Sequence, residues 1–332
     1  MKVSTSRLTQ HVMTVEGRDT GAPVLFVHGN VSSSAFWRDT LPAVPDGFRP
    51  LAVDLRGFGD SDPAPIDATR GVRDWSDDLI ELIEALGLDG VHLVGWSLGG
   101  GVVLQLLRDR PSLVASVTLV NPVSPYGWGG TEGPGGRLTH ADGTGSGAGA
   151  ANPDFVARLK AGDLSEESPT SPRNVFRSTY VKNPVPDEDF YLRSMLTTRV
   201  GEANYPGDAA ASDAWPGVAP GRTGVLNAIS PVYFRLDDLH EIDPKPPILW
   251  LRGADDVIVS DTSLLDLAHL GRIGAVPGSP GTPAQPMVTQ MRTVLDRYGN
   301  YREVVLDDCG HSPHIERPED FRRALAEHLG EA

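Results

Sequence analysis

Residues 92–101 read HLVGWSLGGG, and within them Gly95-Trp96-Ser97-Leu98-Gly99 sets a serine two residues from a glycine on either side. A serine hydroxyl is a weak nucleophile at neutral pH. To attack a carbonyl it needs a base to take its proton, an acid to orient that base, and donors for the negative charge that develops. The pattern G-x-S-x-G alone occurs by chance in many chains, so its surroundings decide. The apolar run VHLVG precedes it and GGVVLQLL follows, which is a strand feeding a helix. A turn that tight forces the serine into strained backbone geometry, and side chains at the two glycine positions would collide with neighbouring backbone. The plainer reading is a packing turn whose serine is idle.

Histidine suits the role of base because it titrates near working pH. Of nine histidines, only His311 and His314, in LDDCGHSPHIERPEDF, lie just past the last apolar run. His311 follows Gly310 and sits on a turn from which an imidazole can project over a sheet end. His314 is the alternative base, or a packing residue near the next helix start. The orienting acid is expected on a loop at the same edge. ILWLRGADDVIVSD offers Asp255 and Asp256, whereas the loop after SVTLV reads NPVSP and holds no acid. Asp256, three residues past Gly253, is preferred to Asp255; ordinary turn chemistry is the plain reading of such a pair. Ser97, Asp256 and His311 then follow in that order, each after a strand.

These residues need a rigid frame. Short runs rich in Val, Leu and Ile recur at 24–28, 50–54, 91–96, 116–120, 246–251 and 302–307. Continuous apolar runs of this length fit strands buried on both faces, as in a parallel sheet. Between several of them lie helical patterns. Residues 73–87 put Trp75, Leu79, Leu82, Ile83 and Leu86 on one face, 98–111 follow the third run, and 317–330 close the chain. The alternation predicts an α/β fold: a mostly parallel central sheet with helices on both faces.

Strand patterning stops between about 124 and 246. Residues 127–150 include ten glycines, which reads as flexible loop, and short helices are expected at 153–162 and 186–196. The expected organisation is a core of 1–123 and 247–332, with 124–246 inserted as a helical and loop cap. Nine of its aromatics, from Trp128 to Phe234, are expected mostly in the cap's own core, with some on its underside. Trp37 and Trp96 stand closer to the serine in sequence and are the better candidates for shaping a substrate pocket. Residues 274–286 carry proline at every third position from Pro277, which predicts a semi-extended loop.

Composition narrows the partners. With 44 acidic and 29 basic residues the net charge is −15, which disfavours nucleic acid and anionic membranes. One cysteine, Cys309, permits no internal disulfide and fits a reducing compartment. Neither a signal-like leader nor a run near ~18 apolar residues is visible, so a cytoplasmic protein with no membrane partner is expected. His28, His92, His140, His240 and His269 show no metal-ligand spacing. GTGSGA at 143–148 resembles a dinucleotide fingerprint but lies in the glycine-rich linker, not between a strand and a helix. No cofactor or metal is expected, and the oligomeric state is open.

Taken together, the chain resembles the α/β-hydrolase fold superfamily over residues 1–123 and 247–332, whose nucleophile, acid and histidine follow in this order. VHGNVSSSAFW (27–37) is similar to that family's His-Gly oxyanion loop, DLRGFGDSD (54–62) to its loop after the fourth strand, and GHSPHIERPEDF to its histidine region. The resemblance implies the backbone amides of Asn30 and Leu98 as oxyanion donors, with Gly29 letting backbone approach the reacting carbonyl. HGN with a nearby tryptophan, and Trp96 before the serine, are similar to the haloalkane dehalogenase branch. That branch and the epoxide hydrolases use an aspartate nucleophile, and Ser97 argues against both. The expected function is a serine hydrolase cleaving a small-molecule carboxylic ester or lactone with an apolar or aromatic part, through an acyl-enzyme. The same triad would serve a carbon–carbon bond hydrolase or a cofactor-free perhydrolase, and the same scaffold without turnover would be a small-molecule receptor.

Overall fold

A computed structural model describes residues 1–332. The apolar runs become five inner strands and one edge strand of a single eight-stranded sheet. Its strands are β1 (Lys2–Ser4), β2 (Thr9–Thr14), β3 (Ala22–Val27), β4 (Phe48–Val53), β5 (Val91–Trp96), β6 (Val114–Val120), β7 (Ile248–Gly253) and β8 (Tyr301–Leu306). The spatial order is β1-β2-β4-β3-β5-β6-β7-β8. From β4 to β8 all neighbours are parallel, and β2 runs antiparallel to both β1 and β4. Every residue of the central strand β5 is buried, as its unbroken apolar run requires. At the edge, β8 is only partly covered.

The helices follow from their periodicity. In α1 (Arg73–Ala85) the face carrying Trp75, Leu79, Leu82 and Ile83 is buried. Helix α2 (Leu98–Asp109) is buried all round its first ten residues, so it is a core helix and not an amphipathic one. Its extra glycines serve that position. A Cβ on Gly100 would lie 2.5 Å from the Cβ of Pro122, and one on Gly101 would lie 2.6 Å from Cγ1 of Val123. The loop after β4 is pinned to α1 by Arg56, whose Nε and Nη2 each donate to the fully buried Asp78 carboxylate at 2.7 Å. Arg7 Nε adds a third bond to it at 2.6 Å.

No strand of the eight-stranded sheet arises between β6 and β7. That segment carries α3 (Pro153–Ala161), α4 (Glu188–Met195), a π turn at Phe176–Tyr180 and two small ribbons, Thr131–Glu132 with Arg137–Leu138 and Ala209–Ala211 with Val218–Pro220. Helices α5 (Met287–Tyr298) and α6 (Pro318–Glu331) complete the core. The glycine-rich stretch departs from expectation: it is folded against the core. Gln285 donates to Gly127 O at 3.0 Å and accepts from Gly129 N at 2.6 Å, while Gln290 donates to Thr131 Oγ1 and Gly133 O. Gly127, at φ 78°, would bring a Cβ to 2.6 Å from Ile229 O, and Gly147, at φ 81°, to 2.5 Å from Asn227 Oδ1. Close backbone approach, not looseness, accounts for glycine at these positions. No helix is long and apolar enough to cross a membrane.

Candidate active site

Ser97 occupies the turn between β5 and α2 with φ 55° and ψ −118°. For a residue with a side chain this conformation costs on the order of 1–3 kcal/mol and persists only where its surroundings enforce it. Here they do. Ser97 N donates to Val120 O, and Ser97 O accepts from Gly100 N and Val123 N, each at 3.0 Å. Both flanking glycines are sterically required. A Cβ on Gly95 would lie 2.5 Å from Gly99 O, and one on Gly99 would lie 2.4 Å from Val27 O and 2.5 Å from His28 O. The free amides and positive dipole end of α2 start at Leu98, directly after the serine.

His311 and Asp256 meet across 55 residues. Nδ1 of His311 donates to Oδ2 of Asp256 at 2.8 Å, and both side chains are buried. The other carboxylate oxygen accepts from the amides of Ile258 at 2.7 Å and Val259 at 3.1 Å. An ionised carboxylate only accepts, so the imidazole proton sits on Nδ1 and leaves Nε2 bare. Nε2 makes no hydrogen bond within the protein, nor does Ser97 Oγ. Such contacts commonly tighten only around a bound substrate. Asp255 behaves differently: its carboxylate is exposed and pairs with Lys182 Nζ at 2.8 Å.

His314 is the other histidine of the region. It is buried with neither ring nitrogen partnered, 4.2 Å from the Trp37 ring centroid and 4.9 Å from that of Trp96. Burial pushes its pKa down to about 3. It is a neutral packing imidazole.

The loop after β3 lies against the serine. A Cβ on Gly29 would come within 3.0 Å of the Ser97 Cβ. His28 shapes this loop by donating from Nδ1 to Gly29 O at 2.7 Å and accepting Leu55 N on Nε2 at 3.0 Å; burial holds its pKa low. The Asn30 amide has no acceptor in the protein, and its carbonyl accepts the Tyr180 hydroxyl at 2.9 Å. The amides of Asn30 and Leu98 are thus both uncommitted beside Ser97.

The model of the alpha/beta hydrolase family matches residues 24–324. The chain belongs to that family. A putative carbamate hydrolase, RutD, of Variovorax paradoxus is 43% identical over 108 residues, which is 32% of this chain and 40% of that protein. A probable lysophospholipase, BODYGUARD 4, of Arabidopsis thaliana is 40% identical over 106 residues, 31% of this chain and 25% of that one. The matched stretches thus span less than half of these relatives. A solved structure titled as a putative aryl esterase from Burkholderia cenocepacia superposes with a TM-score of 0.64 at 20% identity, covering 100% of this chain and 98% of that one. This likeness is one of fold.

Beyond the residues that its motifs point to, this hydrolase-family chain holds the site together with two that sequence reasoning missed. Asn121, buried at the end of β6 with φ 39°, accepts Gly253 N on Oδ1 at 3.1 Å. Its Nδ2 donates to Gly310 O at 3.1 Å and His311 O at 2.9 Å. One side chain therefore ties the acid loop to the histidine loop. Glu316 accepts the amides of Gly310 and Ser312, on either side of His311, and of Lys182 from the 124–246 segment. The only signal for Asn121 is its place as first residue after a strand; Glu316 lies within the quoted histidine region.

Trp37 and Trp96 do not shape a pocket, since both rings are 0% exposed and touch no open space. Trp37 packs on Phe26, His314 and Phe321, and Trp96 stacks on Phe36. Trp96 instead acts from below: its indole donates to His311 O at 2.8 Å, linking the residue before Ser97 to the histidine. His11, Asp54 and Asp60 form one cluster of metal-ligating types. Its Asp54 oxygens already accept Ser34 N, Asp60 N and His11 Nδ1 at 2.7, 2.9 and 2.8 Å, so the carboxylate is used in bracing loops.

Proposed function

We propose that this protein is a serine hydrolase that cleaves a carboxylic ester or lactone of an apolar or aromatic small molecule through an acyl-enzyme, with residues 124–246 as its cap. The observation that carries the reading is the buried Asp256–His311 bond, 2.8 Å long, which leaves a bare Nε2 in the site where Ser97 is held in a strained turn. In this mechanism Nε2 takes the Ser97 proton as Oγ attacks the carbonyl, and Asp256 stabilises the imidazolium. The amides of Asn30 and Leu98 donate to the developing oxyanion. His311 returns the proton to the leaving alcohol, and water, deprotonated by the same nitrogen, then releases the acid.

The relatives' names agree with acyl chemistry, since a carbamate and a lysophospholipid each present an acyl carbonyl to such a serine. The 43% identical stretch shared with a putative carbamate hydrolase favours a carbamate as the second reading. Turnover of an aryl ester compared with a carbamate of the same phenol separates the two. For either, Ser97→Ala should reduce hydrolysis at least ~10³-fold and abolish labelling by a fluorophosphonate probe. Intact turnover of p-nitrophenyl butyrate by Ser97→Ala would sink the reading.

A further inference from the structure

Between α3 and α4 the chain passes through the π turn Phe176–Tyr180, closed by Val181 N on Phe176 O at 3.3 Å. Such turns are uncommon and recur at functional sites. Within three residues of its end this stretch reaches all three loops of the site. Tyr180 Oη donates to Asn30 O at 2.9 Å. Lys182 N donates at 2.7 Å to Glu316, which also holds the amides flanking His311. Lys182 Nζ pairs with Asp255, the neighbour of Asp256. The Tyr180 ring stands edge-on to His311, with centroids 6.1 Å apart at 86°, and to Trp96 at 5.9 Å and 73°.

The contact with Asn30 has a mechanical consequence. The next residue, Val31, is β-branched yet sits at φ 47°, a conformation disfavoured for such a side chain. The Asn30 carbonyl receives no hydrogen bond except that of Tyr180. The Asn30 amide belongs to the preceding peptide, whose Gly29 carbonyl accepts His28 Nδ1 at 2.7 Å and Ser32 Oγ at 2.8 Å. Tyr180 holds the following peptide; released from it, that peptide is free to rotate about Asn30 ψ and Val31 φ and relieve the strain, and the Asn30 Cα, with the amide attached to it, loses its second anchor. Burial raises the phenol well above its ordinary value, so the hydroxyl remains a donor at all working pH.

We propose that Tyr180 is a positioning residue for the oxyanion-binding loop: by holding the Asn30 carbonyl, its hydroxyl keeps the Asn30 amide aimed at the carbonyl that Ser97 attacks. This rests on the reading of Ser97 as an acyl-transfer nucleophile. The test compares full-length wild type with Tyr180→Phe, which deletes one oxygen and keeps the ring. With p-nitrophenyl butyrate, kcat should fall about 10-fold, less than the ~10²–10³ for loss of a whole oxyanion donor, while KM stays within about twofold. Affinity for phenylboronic acid, which forms a tetrahedral anion on the serine, should weaken by the same factor. Hydrogen exchange of residues 28–34 should accelerate. Replacing Tyr180 with 4-aminophenylalanine, whose amine can still donate, should restore kcat, and this rescue also reads the role should the Phe variant prove unstable. Unchanged kcat in the Phe variant, a rise in KM alone, or failure of the amine to rescue a lowered kcat would overturn the proposal. Fluorophosphonate labelling of the wild type keeps the two readings apart. Labelling with no Tyr180 effect rejects only Tyr180, and no labelling rejects the nucleophile.

Discussion

Replacing His314 with leucine tests the assignment of the two histidines and the character of the wedge beneath the site. His314 is buried against Trp37, Trp96 and Phe321 with neither ring nitrogen satisfied. Leucine removes those orphaned polar atoms, whose burial costs about 1–3 kcal/mol. It also forfeits aromatic stacking of about 0.5–1.5 kcal/mol. At pH 7.5 the two effects nearly offset, so the variant should be about as stable as wild type. Acid separates them. The folded protein holds His314 at about 3, against an ordinary 6.5. Below 6.5 the unfolded chain binds a proton that the folded one refuses, so folding stability falls with pH until about 3. The slope is about 1.4 kcal/mol per pH unit. By pH 4.5 wild type should have lost roughly 2.7 kcal/mol that the leucine variant keeps. His28 and His328 are likewise pushed down by burial, but they are common to both proteins and cancel in the difference. Urea unfolding of both at pH 7.5 and 4.5, with equal slopes in urea, measures it. Parallel pH profiles would refute a neutral, buried His314. Ester hydrolysis at pH 7.5 should survive the substitution, and a loss as large as that in His311→Ala would make His314 the base instead.

Three further outcomes follow from geometry. Asp256→Asn should lower kcat about 10³–10⁴-fold by favouring the wrong imidazole tautomer, whereas Asp255→Ala, which loses only an exposed partner of Lys182, should remain close to wild type in an ester assay. Arg56→Ala strands the Asp78 carboxylate, 0% exposed, with only the partly exposed Arg7 beside it, and should cost about 3–5 kcal/mol in urea unfolding; a loss under about 1 kcal/mol would show that Arg7 suffices.

Much of the frame was legible because its constraints are local. The strands from β3 to β7 announce themselves as apolar runs, since a strand covered on both faces has no polar side to display; β8, at the edge, shows only the shorter run Val304–Leu306. At the outer edge β1 and β2 escaped notice, being short, with TQHVMT alternating between buried and half-exposed positions. The turn at Ser97 was legible for the same local reason: the Cβ that would clash at Gly95 meets Gly99 itself. Composition misled at 127–150, because a glycine count cannot separate a loose chain from backbones pressed together. Proximity in sequence misled at Trp96, whose ring enters the core while the residue beside it opens toward the site.

What sequence could not display are the residues acting over long separations. Asn121 reaches His311 across 190 positions, Trp96 reaches it across 215, and Tyr180 reaches Asn30 across 150. Each contact is one or two hydrogen bonds, and no spacing rule marks such a partner in advance. Their common direction has a consequence for the chemistry. A strained serine turn is useful only if base and oxyanion donors stay fixed relative to it, to within a fraction of an ångström. On the proposed mechanism part of that fixing comes from the segment between β6 and β7, through Tyr180 on the Asn30 loop and the Lys182 amide on the histidine loop. A segment that only covered the substrate could change freely without touching the rate of the chemical step. This one is hydrogen-bonded to the histidine loop and to the loop of Asn30 at once. On the proposed mechanism, substitutions in residues 176–183 should therefore lower kcat for p-nitrophenyl butyrate and not only change KM.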